Sequence, residues 1–250
     1  MKNKAPMLKT KHFKRQIFFI CLLFLMGFAV QEEEFRPSWE LPKSALYRSH
    51  AGYCFAYAPD YKESFWVAYH LCPADLRGKI KRKNVFEADT SIDTGTANEG
   101  DYKKSGFDMG HLKAAANNRN SQKNMDASFL MVNICPQTAR LNRVTWKKIE
   151  DYERALLKKY DSIFVVTGPL LEPGLKKIGK HQVSVPKYFY KCIVAKKDTA
   201  WFAIAFLVPN GRPDKNIWKY RTSIDAIEVL AKIDFYYLLP DGIEMQLEKE

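Results

Sequence analysis

Apolar runs of strand length dominate this chain, and they come in groups instead of alternating with helices. "YCFAYA" and "FWVAYHLC" flank the turn-rich "PDYKES", so a first hairpin is expected over Tyr53 to Leu71. "SIFVVTGPLL", "QVSVPKYFYKCIVA" and "AWFAIAFLVPN" follow one another further on, and "ASFLMVNICPQ" reads as a strand limited by Pro136. The clearest helix is "LNRVTWKKIEDYERALLKKY", where Trp146, Ile149, Tyr152, Leu156 and Tyr160 recur at steps of three and four and form one apolar face. A second helix is expected near "TSIDAIEVLA", with Thr222 and Asp225 at capping-box spacing, and "IDFYYLLP" reads as a last short strand. Grouped strands with few helices predict an α+β fold with a mostly antiparallel sheet. The polar stretch from Arg77 to Gly106 reads as a long loop, and loops of that length are usually functional or mobile.

The chain has 250 residues and a formal net charge of +12. Six of its basic residues lie in the first thirty, with no acid beside them, and the remaining 34 basic and 28 acidic residues leave +6. A moderately basic domain suits a polyanionic partner, although many basic proteins are only soluble. The basic start runs into fourteen apolar residues, Ile17 to Val30, which match a signal-peptide core and fall short of the roughly 20 residues of a bilayer span. Residues 1–30 therefore read as a signal peptide and residues 31–250 as the domain, an exported protein that is secreted or periplasmic, with no stable membrane association after cleavage. Beyond Cys21 there are four cysteines, Cys54, Cys72, Cys135 and Cys192. In an oxidising compartment a Cys54–Cys72 bridge across the first hairpin is expected, with Cys135 and Cys192 paired or free. No C-x-x-C is present, which argues against a zinc ribbon.

Three segments carry the candidate chemistry. "SGFDMGHLKAAANN" holds Asp108 and His111, "VNICPQ" holds Asn133, and the amphipathic helix holds Asn142, Glu150 and Arg154. An imidazole suits proton abstraction near neutral pH. The Asn142 amide oxygen is a hard, uncharged donor for a cation such as Mg²⁺. Arg154 follows Glu150 by four residues, so the two can pair on the helix, and its planar fork also suits a phosphate. Each residue alone has a plainer reading: His111 a surface histidine, Glu150 and Arg154 a solvated pair, Asn142 a helix cap, Trp146 core packing.

Together these segments resemble the DNA/RNA non-specific endonucleases, whose signature is an Asp-Arg-Gly-His box, an N-x-x-P-Q turn and an L-N-x-x-x-W-x-x-x-E helix. The box reads "DMGH" here, the turn "NICPQ" and the helix "LNRVTWKKIEDYER", with similar segments in family order from Tyr53 to Leu247. The resemblance implies a ββα-metal site on an antiparallel α+β core. It implies Mg²⁺ as cofactor, replaceable by Mn²⁺, and DNA and RNA as substrates. His111 would be the general base, Asn142 the metal ligand, and Glu150 the holder of metal-bound waters. Asn133 would steady the site, Arg154 would stabilise the transition state, and Asp108 would orient the loop or a water. The reaction would be in-line phosphodiester hydrolysis leaving 5′-phosphates, with contacts to the backbone explaining indifference to sequence.

The chain departs from the signature twice. Met109 replaces the arginine of the box, and "LKAAANN" replaces the usual "x-A-P-A-x-D" continuation. Lys113 and, in the upstream loop, Arg82 are the candidate replacements for the lost positive charge. The runner-up reading is a catalytically weak or inactive nucleic-acid-binding member of the same fold. The oligomeric state is left open, a homodimer among the options.

Overall fold

The computed structural model describes residue 37, residues 42–82 and residues 84–249. The signal-peptide expectation falls on residues 1–30, outside the described residues. A seven-stranded, wholly antiparallel sheet forms the centre. Its strands are β1 (Leu46–His50), β2 (Tyr53–Ala58), β3 (Glu63–Leu71), β6 (Ser162–Pro169), β9 (Tyr188–Lys197), β10 (Ala200–Pro209) and β11 (Arg221–Thr222), in that spatial order. Two small ladders lie outside it: β4 (Asp108–His111) with β5 (Ile134–Gln137), and β7 (Lys177–Ile178) with β8 (Val183–Ser184). The helices are α1 (Glu99–Tyr102), α2 (Gln122–Ala127), α3 (Lys147–Leu156), α4 (Ile224–Ala231) and α5 (Asp241–Glu248). This is the expected α+β architecture, and β4, β5 and α3 form its ββα unit. Among the described residues, no helix is long and apolar enough to cross a membrane.

Both faces of the sheet are covered, which is why its strands are apolar at nearly every position. Along β6, Ile163 and Val165 join one core with Tyr69, Ile193 and the α3 side of the molecule, where Trp146, Ile149 and Leu156 pack. Phe164 and Val166 point the other way, into a second core closed by Ile224 and Ile227 of α4 and Leu247 of α5. The sheet thus holds α3, and with it the ββα unit, against one rigid face.

Several local expectations need correction. "IDFYYLLP" forms no strand: Phe235, Tyr236 and Leu239 plug the second core from a loop, and α5 follows. The cap of α4 is Ser223, whose side chain accepts from the Ala226 N–H, and Thr222 pairs in β11 instead. "ASFLMVNICPQ" is a strand only in its last four residues; Phe129, Met131 and Val132 are buried before it in turns. Among the described residues, no disulfide joins Cys54, Cys72, Cys135 and Cys192 to one another. The hairpin register sets Cys54 opposite Ala68, so Cys72 lies four residues beyond bridging position.

Candidate active site

The "DMGH" box is strand β4, and His111 closes it. β4 runs antiparallel to β5, with Asp108 opposite Gln137 and His111 opposite Ile134. The glycine of the box is sterically required. A Cβ on Gly110 would lie 2.3 Å from Oε1 of Gln137, which is fully buried. The chain then enters α3 through a π-helical turn, Leu141–Trp146, and such turns are frequent at functional sites. Trp146 is fully buried, and its Nε1 donates to the His111 carbonyl at 3.0 Å, fastening the helix to the strand that bears the histidine.

His111 is 7% exposed. Its ring packs edge-on against Phe129 at 4.9 Å and near Phe86 at 5.5 Å, and its Nε2 is buried without a partner. Burial in this aromatic setting, with a smaller contribution from the Arg82 charge, pushes its pKa down to about 3. The imidazole is therefore neutral at physiological pH, with a lone pair to take a proton.

Asp108 organises the other side. Its carboxylate accepts from Asn142 Nδ2 at 3.0 Å and from Arg143 through Nε and Nη2, both at 2.7 Å. These donors, Arg143 first, hold the Asp108 carboxyl below the usual range. With its nitrogen end committed to Asp108, Asn142 has its amide oxygen turned away from that carboxylate. Glu150 is half-buried one helical face along, and burial raises its pKa to about 7. No hydrogen bond or ion pair holds it among the described residues. Arg154 donates from Nη1 to Asn117 Oδ1 at 3.0 Å and from Nη2 to Asp151 at 2.7 Å, so it pairs with Asp151 three residues back and not with Glu150 as the spacing suggested. Asn117 in turn donates at 2.7 Å to the buried Glu153.

His111, Asn142, Glu150 and Arg154 line one cleft of about 460 Å³ together with Arg82 and Arg143. A second cleft, about 800 Å³, shares Arg82, Met109, Asn142 and Arg143 with it and adds Asp108 and Lys103. The two form a groove with cationic walls. The Asn142 amide oxygen and the Glu150 carboxylate are the donor types that a hard divalent cation takes, so these residues fit such a metal.

Two sequence candidates lie elsewhere. Lys113 does not reach the groove: it is 2% exposed, donates to the Gly52 carbonyl at 2.6 Å and sits over the Tyr69 ring, so the role of substrate contact is withdrawn. Asn133 is fully buried behind the site. Its Oδ1 accepts from the Lys113 N–H, and its Nδ2 donates to the Lys113 and Ser128 carbonyls, clamping the chain that leaves His111. Sequence reasoning missed Arg143 and Asn117. Arg143 had a usable signal, a cation beside Asn142 in a chain whose box has lost one; Asn117 had none.

The family description "DNA/RNA non-specific endonuclease" matches residues 33–242. The chain belongs to this family. Its relatives include the mitochondrial endonuclease G of Bos taurus, 36% identical over 71% of this chain and 64% of that protein. That of Homo sapiens is 35% identical over 75% of this chain and 68% of that protein. The mitochondrial nuclease of Saccharomyces cerevisiae is 33% identical over 74% of this chain and 64% of that protein. The chain thus spans about two thirds of these relatives' length. Among solved structures, a chain in the crystal structure of the EndoG/EndoGI complex superposes with a TM-score of 0.73 at 30% identity, over 78% of this chain and 86% of that one. The expectation of a secreted or periplasmic protein is overturned by these relatives, named as mitochondrial nucleases.

Proposed function

We propose that this family member is an endonuclease that hydrolyses phosphodiester bonds of DNA and RNA with little sequence specificity, using a divalent cation. The carrying observation is the meeting of a neutral histidine, two oxygen donors and an arginine in one cationic groove. Mg²⁺, with Mn²⁺ as a substitute, would be held by Asn142 directly and by Glu150 through water, and would supply charge neutralisation at the phosphate and the leaving oxygen. His111 takes a proton from water. The water oxygen bonds to phosphorus as the bond to the 3′ oxygen breaks, leaving a 5′-phosphate and a 3′ hydroxyl that takes its proton from solvent. Arg154, its fork set by Asn117 and Asp151, balances the charge that builds on the phosphoryl oxygens. Asp108 keeps Asn142 aimed, and Asn133 keeps the His111 strand exit in place. Arg82 is a further phosphate contact from the groove wall. Backbone contacts of this kind carry no base information.

The test is plasmid DNA and RNA incubated with Mg²⁺ or with EDTA, for the wild type and for His111→Ala. Mg²⁺-dependent degradation of both that is lost in the variant is expected. A folded wild type that binds DNA with or without Mg²⁺ and cuts in neither case would establish the runner-up, a binding member weakened at Met109.

A further inference from the structure

The geometry points to Arg143 as a substrate-binding residue that puts a guanidinium on a nucleic-acid phosphate in the groove, the contact Met109 cannot make. This rests on the nuclease reading. Met109 is an uncharged thioether in the groove wall, and the family box carries arginine there. Arg143 lines both clefts beside Met109 and Asn142. Its side chain is 70% exposed, and its fork is oriented by both oxygens of Asp108. That grip uses Nε and one Nη2 hydrogen. The three remaining N–H donors point away from Asp108, and no described residue accepts from them. An oriented planar fork with open donors suits a phosphate, and holding it in advance lowers the entropy cost of binding.

Asp108 also accepts from Asn142, so a single carboxylate sets the direction of both the cation and the amide oxygen. Both donors are consecutive residues of the π-helical turn. A merely structural Arg143–Asp108 pair would be an exposed ion pair, which contributes little stability. Arg143→Ala is therefore expected to fold.

The decisive measurement is fluorescence anisotropy with a labelled 20-base-pair DNA duplex, in the His111→Ala background so that no cleavage intervenes. It is run in EDTA over a salt series. Adding Arg143→Ala should weaken Kd about tenfold at low salt and reduce the slope of log K against log salt by about one. Adding Met109→Arg to that variant should restore most of the lost affinity. In the active enzyme, Arg143→Ala should raise KM with kcat within about threefold, since the lost contact is made in ground and transition state alike. An unchanged Kd and salt slope would overturn the proposal. So would a fall in kcat at constant KM, which would reduce Arg143 to a holder of Asp108. Failure of the nuclease reading is separately visible, as a wild type that does not cut with Mg²⁺ while the binding difference stands.

Discussion

Lys191 Nζ lies 2.9 Å from Glu153 Oε2, and neither side chain has any exposure to solvent. The pair joins β9 to α3 beneath the groove. Lys191 also donates to Tyr69 Oη at 2.8 Å and to the Leu112 carbonyl, next to His111, at 3.2 Å. Glu153 takes the Tyr69 hydroxyl and the Asn117 amide on its remaining lone pairs. The charges are thus compensated and hydrogen-bonded, as burial demands. Removing one partner strands the other, so Lys191→Met should destabilise the fold by about 3–5 kcal/mol. The double variant Lys191→Met, Glu153→Leu should regain much of that stability but little activity, because Asn117 loses its acceptor. Urea denaturation with parallel rate measurements checks this; a double variant no more stable than the single one would refute it.

Asn117 is the link from that pair to the chemistry. It gives its N–H to Glu153 and offers its oxygen to Arg154. Asn117→Ala frees the Arg154 fork on one side. Loss of orientation should lower kcat by roughly 10–100-fold, with KM changing less. Steady-state kinetics on plasmid DNA decide it, and an unchanged kcat would mean that Asp151 alone suffices to hold Arg154.

The strands were legible because both faces of the sheet are buried, so the apolar runs are continuous and bounded by turns. The helix face was legible because Trp146, Ile149 and Leu156 all pack on that sheet. The π-helical turn was not, since the steps of three and four that mark the helix begin at Trp146, where the turn ends. "IDFYYLLP" misled because a loop that fills a core carries the same residues as a strand. His111, Asn142, Glu150 and Arg154 were placed by motif resemblance. Their second tier escaped because Glu153, Lys191 and Asn117 meet only through tertiary contacts between distant segments. Lys113 was misread for the same reason: a lysine near the site in sequence folds beneath it.

Gly110 and Gln137 make a two-residue steric lock between the box and the P-Q turn. Gly110→Ala would force a Cβ to within 2.6 Å of Oε1, Cδ and Cγ of the fully buried Gln137. Overpacking should cost about 1–3 kcal/mol. Gln137→Ala in the same chain should relieve most of that specific clash. A double-mutant cycle on unfolding free energy measures the coupling, and strict additivity would disprove the lock.

A cluster of acids at the C-terminal end gives the fold a pH dependence of its own. Burial first, then neighbouring carboxylates, raises Glu228 to about 7 and Glu248 to about 8. Asp225, Asp234 and Glu244 act on both, Glu228 is the foremost charge on Glu248, and the Phe235 N–H donates to Glu228 and partly offsets its shift. Both acids bind protons more tightly when folded than when unfolded. The stability this contributes is whole below the unfolded carboxyl pKa and is lost as pH rises toward 7 and 8. His111, neutral when folded, works in the opposite sense up to about pH 6.5, but the two carboxylates together outweigh it, so the melting temperature in EDTA should fall between pH 5 and pH 8. Glu248→Gln keeps the shape without the charge and should flatten that fall, raising the melting temperature at pH 8 relative to wild type. A Glu248→Gln profile parallel to that of the wild type would show that this carboxylate is not a titrating group.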